Sequence, residues 1–189
     1  MIQKLFLLLA FVLPVACMQK ESPVVVSDAP SAAEMGWRQQ FDRSLPLLGH
    51  RNWVLVVDKA FPEQTAQGME VINTNEDLAP VLQYVLQRID SSTHVRPTIY
   101  RDKELQFITE DQVKGVTQLK TETEKLFGGQ PVQTILHDSV FTKLDQASKL
   151  FKVVVLKTNA VIPYSSVFLQ LGCAYWNAGQ EKALRERMK

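Results

Sequence analysis

Five consecutive apolar residues, Trp53–Val57, constrain the fold of this chain more than any other segment. Three of them are valines, and a short β-branched run of this kind predicts a buried strand. His50 precedes the run in a turn led by Gly49, and Asp58 follows it before a loop that ends at Pro62. Titratable residues at the ends of a buried α/β strand are common parts of binding sites. The structural alternative is that His50 caps a helix and Asp58 begins a turn.

Helical and strand patterns alternate along the rest of the chain. Apolar residues at helical spacing predict an amphipathic helix over residues 77–90. Further helices are predicted over 37–48, 109–127 and 138–150, and further strands over 95–100, 132–136, 152–157 and 167–173. This alternation predicts a three-layer α/β/α sandwich with helices on both sheet faces. The loop between the last two strands is too short for a parallel crossover, so the predicted sheet is mixed.

The N-terminal residues predict export rather than folding. Lys4 precedes the apolar residues 5–13, and small or β-branched residues come just before Cys17. Residues 1–16 are therefore predicted to be a lipoprotein signal peptide, cleaved before a lipid-bearing Cys17. Pro14 stands where leucine is usual, which leaves an ordinary secretory signal as the alternative. The apolar run is too short for a transmembrane anchor.

Composition divides the remaining chain into three parts and argues against one class of partner. Residues 17–33 are predicted to be a flexible tether, 34–176 a folded domain and 177–189 a charged tail. The resulting protein would be exported and anchored to a membrane by its lipid, facing the periplasm or the cell exterior. The formal charge of +1 falls to 0 without Lys4, and the absence of a basic patch argues against nucleic acid as a partner.

Cysteine and histidine usage does not predict a metal site. Cys173 is expected to be a buried, inert thiol. The three histidines, His50, His94 and His137, are more than forty residues apart, without the paired spacing of metal ligands. His94 is expected to be exposed.

A second motif gives the first one a specific meaning. Residues 157–166 read K-T-N-A-V-I-P-Y-S-S and precede an apolar strand. Together with L-G-H-x₇-D-x₃-P at 48–62, they resemble the D-ribose pyranase and L-fucose mutarotase family, which carries the same first pattern and a late R-T-G-E-x-x-P-Y-x-N segment. The resemblance covers about residues 37–176. The chain has Ser166 in place of the family's asparagine, and Asn159-Ala160 in place of its glycine and glutamate.

The resemblance implies an isomerase that interconverts anomers, or pyranose and furanose forms, of a reducing monosaccharide without a cofactor. A base removes the anomeric proton while an acid protonates the ring oxygen, and one histidine suits both transfers. By resemblance, His50 is this acid/base residue. The implied sugar-binding residues are Asp58, His137, Tyr164, Ser165 and Ser166. For His137 a solvent-facing loop position is an alternative, and for Tyr164 packing against the sheet edge.

The resemblance also implies a homo-oligomer, a pentameric or decameric ring with sites shared between chains. Eight residues of extended chain place His50 and Asp58 roughly 20–26 Å apart, too far for one sugar to contact both within a chain. The alternative function is a non-catalytic monosaccharide-binding or sensing lipoprotein that retains the pocket.

Overall fold

A computed structural model of the protein describes residues 35–189. The predicted signal peptide, the tether and Cys17 lie outside this range. Within it, the α-helices are α1 (Trp37–Ser44), α2 (Leu78–Asp90), α3 (Val116–Phe127), α4 (His137–Ser148) and α5 (Ala178–Arg187). The strands are β1 (Trp53–Val57), β2 (Met69–Asn73), β3 (Val95–Asp102), β4 (Val132–Ile135), β5 (Val153–Lys157) and β6 (Val167–Cys173). Two 3₁₀ turns span Leu45–Leu47 and Lys103–Phe107.

The strands form one mixed sheet in the order β2-β5-β1-β6-β3-β4. β1 and β2 both run parallel to β5, and β3 runs parallel to β4. β6 lies between β1 and β3 and runs antiparallel to both, as its short connection to β5 requires. The predicted mixed sheet is confirmed.

Helices cover both faces of this sheet, which confirms the predicted three-layer sandwich. Val54 and Val56 of β1 pack with α1, α2 and α3 in one core cluster. Trp53, Leu55 and Val57 pack with α4 in the other. All five side chains are buried, so β1 is the doubly buried strand that its composition predicts.

Two element boundaries differ from the sequence prediction by four residues or more. The helix expected from residue 109 begins only at Val116, because the Glu110 carboxylate accepts hydrogen bonds from the backbone N–H groups of Gly115 and Thr117 and holds the chain in a turn. The first helix ends at Ser44, where Pro46 leads the chain into a 3₁₀ turn.

The predicted charged tail contains α5, none of whose side chains is buried. Asn177 caps this helix by accepting a hydrogen bond from the backbone N–H of Gln180. Among residues 35–189, no helix combines the length and apolar character needed to cross a bilayer.

Candidate functional site

The sheet topology brings the ends of five strands together at one end of the sheet, the polar edge. The carboxyl ends of β1, β3, β4 and β5 meet there, and antiparallel β6 begins there, with Val167 paired to Val56 on one side and to Arg101 on the other. The residues that follow or precede these strand ends therefore converge. They include Asp58, Asp102, His137 and the segment 164–166.

Asp58 is held in place by Ser166. Ser166 donates its hydroxyl hydrogen to Asp58 Oδ2 at 2.9 Å, and its oxygen accepts from the Asp58 backbone N–H at 3.2 Å. The backbone N–H of Ala60 donates to Oδ1 at 2.9 Å. Each carboxylate oxygen keeps a lone pair for a ligand. The Asp58 carboxylate is thus oriented and half-buried, with acceptor capacity remaining.

Tyr164 joins the same edge through an unfavourable backbone conformation. Its φ is 59°, a left-handed value that a bulky residue rarely adopts. Strain of this kind clusters at functional sites. The Tyr164 ring meets the His137 ring edge-on, with centroids 5.1 Å apart. The next residue, Ser165, is fully buried, and its hydroxyl has no hydrogen-bond partner among residues 35–189.

His137 opens α4 and is positioned from three sides. Its backbone N–H donates to the Glu104 carboxylate, and its ring also packs edge-on against Phe141. Nδ1 lies 3.1 Å from Oδ2 of the buried Asp102, although the N–H is not aligned for a hydrogen bond. The ring is about one-third exposed, so Nδ1 faces the protein while the ring can still reach a ligand. His137 is therefore part of this polar edge rather than of a solvent-facing loop.

Asp102 is the residue of this edge that the sequence analysis missed. It is 1 % exposed, and neither carboxylate oxygen accepts a hydrogen bond from residues 35–189. Burial, the largest cause, raises the pKa of Asp102 to about 6; His137 opposes the rise, and the charges of Glu104 and Asp58 add to it. Asp102 can therefore take up or release a proton near neutral pH, next to the His137 ring.

Replacing Asp102 by asparagine is expected to change how stability depends on pH. The folded chain binds more protons than the unfolded chain between the ordinary pKa of 3.8 and about 6, so stability decreases as pH rises through this window. The free energy of unfolding should fall by about 2–3 kcal/mol across this window because of Asp102. Asp102→Asn should remove this fall and make the protein more stable at pH 7 than the parent. Urea unfolding from pH 4 to 7 measures this, with Asp90→Asn, at the end of α2, as the control. If the free energy of unfolding depends on pH in the same way in the parent and in Asp102→Asn, the raised pKa of Asp102 would be contradicted.

His50 lies at the opposite end of β1. It is exposed, and its Nε2 accepts a hydrogen bond from Arg51 Nε at 3.0 Å. Arg51 has a φ of 76°, a second left-handed position for a bulky residue. The structure thus brings together Asp58, His137, Tyr164, Ser165 and Ser166, and leaves His50 at the other edge of the sheet. The part that each plays in catalysis or sugar binding stays a prediction.

Two expectations about other residues were wrong. His94 is half-buried rather than exposed, because its Nε2 contacts the backbone carbonyl oxygens of Leu45 and Leu48 at 3.3 and 3.0 Å. Cys173 is a free thiol that is half-buried rather than buried, since it is the last residue of β6.

The polar edge adjoins a concave surface. A cavity of about 360 Å³ is lined by Asp58, Lys59, Ala60 and the apolar residues 161–163. This size and mixture of charged and apolar groups are typical of small-molecule sites. Among residues 35–189, no three histidine, cysteine, aspartate or glutamate side chains are grouped as a metal site.

Comparisons with known proteins identify the fold. No protein-family model matches the chain, and no curated protein matches it in sequence. Bacillus subtilis RbsD, solved in complex with D-ribose, superimposes with a TM-score of 0.50 at 19% identity, covering 74% of this chain and 96% of RbsD. For FucU from Bifidobacterium longum the TM-score is 0.48 at 15% sequence identity, and the match covers 71% of this chain and 94% of FucU. For the fucose mutarotase of Streptococcus pneumoniae, solved in complex with L-fucose, the TM-score is 0.47 at 12% identity, and the match covers 69% of this chain and 89% of the mutarotase. The described domain of this chain has the fold of Bacillus subtilis RbsD.

Proposed function

We propose that the protein is a sugar isomerase of the ribose pyranase and fucose mutarotase type, which opens and recloses the ring of a reducing monosaccharide. The observation that carries the proposal is the meeting of Asp58, His137 and Tyr164 at one sheet edge. Both sequence motifs contribute to this edge, and the fold is that of a protein solved with D-ribose.

The chemistry of the edge suits a sugar. The Asp58 carboxylate can accept hydrogen bonds from two hydroxyl groups because Ser166 and Ala60 already fix its orientation. The Tyr164 ring offers an apolar surface for the C–H face of a pyranose. His137, with Nδ1 next to Asp102, has a proton-transfer partner behind it and can present its other ring nitrogen to a hydroxyl.

His50 is proposed as the residue that moves the anomeric proton, and a second chain is proposed to supply it. Within one chain, β1 separates His50 from Asp58. A homo-oligomer in which the His50 turn of one copy approaches the Asp58 edge of the next would complete the site.

A non-catalytic monosaccharide-binding or sensing role is the second candidate. The observation that favours it is the use of Ser166: both hydrogen bonds between its hydroxyl and Asp58 are internal. A longer asparagine could contact the sugar as well. Asn159 stands where the family has a glycine, and its side-chain oxygen likewise accepts an internal hydrogen bond, from the Lys59 ammonium at 3.0 Å.

Magnetisation-exchange NMR on a panel of reducing sugars separates the two candidates. The purified protein is expected to accelerate anomer exchange of at least one aldose, and the panel identifies which. Saturable binding without acceleration would favour the sensing role. Neither binding nor acceleration across the panel would contradict both.

We also propose that the protein is exported and carries a lipid on Cys17, which anchors it to a membrane. The support is the sequence of residues 1–17 alone. Replacing Cys17 by serine is expected to release the protein from the membrane fraction or to leave its signal uncleaved. Mass spectrometry of the mature N-terminus is the measurement; an unmodified cysteine, or cleavage elsewhere, would contradict the assignment.

A further inference from the structure

A buried cation without an acceptor lies apart from the sugar site. Arg101 of β3 is 8 % exposed, and its side chain points to the sheet face opposite His137, with Cζ 5.4 Å from the centroid of the Phe127 ring. Its Nε and Nη2 have no hydrogen-bond partner among residues 35–189. No ion pair within 4.0 Å in this part of the chain includes Arg101.

The buried guanidinium of Arg101 needs a hydrogen-bond acceptor or a counter-charge. A guanidinium does not lose its proton in proteins, and a buried, unpaired charge costs several kcal/mol. The contact with Phe127 offsets only part of this and satisfies no N–H group. Burial lowers the pKa of Arg101, and the charges of Glu124 and Asp102 raise it, so these carboxylates are the nearest in-chain counter-charges. Neither carboxylate lies within ion-pair distance of it.

Arg101 also lines a cavity of about 560 Å³ between α3, β3 and β4. Eight of its ten lining residues are polar or charged, and two of these, Asp102 and Glu124, carry carboxylates. The lining comprises Arg101, Asp102, Leu105, Gln106, Lys120, Thr121, Glu124, Gln130, Val132 and Thr134. The Lys120 ammonium adds a second positive charge and is held there by the backbone oxygen of Ile108 at 2.6 Å.

The two unpartnered nitrogens have a defined geometry. Nε–H and Nη2–H project in parallel from one edge of a guanidinium, which is the edge that binds carboxylate or phosphate oxygens in pairs. Both atoms are shielded from water in this conformation, so binding requires the guanidinium to turn toward the cavity that it already lines.

We propose that this cavity is a second binding site, and that it takes a small polyhydroxylated molecule bearing a carboxylate or phosphate group. Arg101 binds the oxyanion through its paired N–H groups, and Lys120 adds attraction. Gln130, Thr121 and Thr134 hydrogen-bond the hydroxyl groups. The site does not depend on the isomerase assignment, because Arg101 points to the other face of the sheet and the proposed ligand contacts use different side chains. Asp102 lines this cavity and also belongs to the polar edge.

Calorimetric titration with two probes tests the proposal and distinguishes the two sources of oxyanion. Inorganic phosphate and D-gluconate are titrated separately into the purified protein at constant ionic strength. At least one should bind saturably, and the tighter probe identifies the preferred oxyanion. Saturable binding of neither probe would overturn the proposal.

Variants locate the binding. Arg101→Met retains the aliphatic stem but should weaken binding at least tenfold, and Arg101→Lys, which keeps the charge without the fork, should weaken it less. Lys143→Met removes a cation that lies over Tyr100 on the opposite face and should leave binding unchanged. If Arg101→Met does not fold, Gln130→Ala and Thr134→Val keep Arg101 and should weaken gluconate binding several-fold. Unchanged affinity in Arg101→Met, or in both lining variants, would overturn the proposal, as would an equal loss in Lys143→Met.

Discussion

Replacing His50 by alanine is expected to lower the rate of anomer exchange by about 10²–10⁴-fold, the usual contribution of a general acid/base. The His50→Ala variant should fold as the parent does, because the His50 side chain is exposed and its one described hydrogen bond is to the neighbouring Arg51. Exchange NMR at matched concentrations of folded protein, on the sugar that exchanges fastest, measures the effect.

His94→Ala is the matched control for this substitution. His94 contacts two backbone carbonyl oxygens at the end of the first helical segment, so its loss should reduce thermal stability without changing the rate per folded molecule. A His50→Ala protein that exchanges anomers as fast as the parent would show that His50 is not the acid/base residue. In that case the Asp102–His137 pair, which lies beside Asp58, would be the remaining candidate for proton transfer.

Mixing two inactive variants is expected to restore activity if the site is shared between chains. His50→Ala and Asp58→Ala each remove one side of the proposed site, on opposite ends of β1. After subunit exchange at equal concentrations, about a quarter of the contacts between neighbouring copies should pair an intact His50 with an intact Asp58. Activity should therefore rise from near zero to about a quarter of the parent value.

Two outcomes would contradict the shared site. One is the absence of recovery after exchange has been verified with differently tagged chains. The other is a monomer, by light scattering, that retains full activity. A matched mixture of His50→Ala with itself, carried through the same exchange, controls for recovery by refolding alone.

The sequence predicted the central sheet well because its strands are strongly apolar. β1, β5 and β6 are buried on both faces, and a continuous apolar run signals that environment without help from other parts of the chain. β2 was missed because it is an edge strand in which only Ile72 is buried, so its pattern carries little hydrophobic signal. The early start predicted for α3 failed because Glu110 satisfies backbone donors that a helix would otherwise use.

The site was predictable only in part, for a different reason. Asp58 and Tyr164 belong to motifs whose spacing is visible in the sequence. Asp102 carries no such signal, because β3 was expected to end at residue 100 and no predicted element included Asp102. Its burial comes from contacts with α4, which are distant in the chain. The unpartnered Arg101 was hidden for the same reason, since a missing partner is a property of three-dimensional packing.

Histidine-selective NMR during a sugar titration probes the proposed shared sugar site, because the chain has only three histidines and they lie in three different settings. The protein is labelled at its histidine rings and titrated with the sugar that exchanges fastest. We expect saturable shifts of His137, beside Tyr164, and of His50, with the same dissociation constant, while the signal of His94, in its contacts with Leu45 and Leu48, stays unchanged. Shifts confined to His94, or no shift at His137 under saturating sugar, would contradict the proposed shared site.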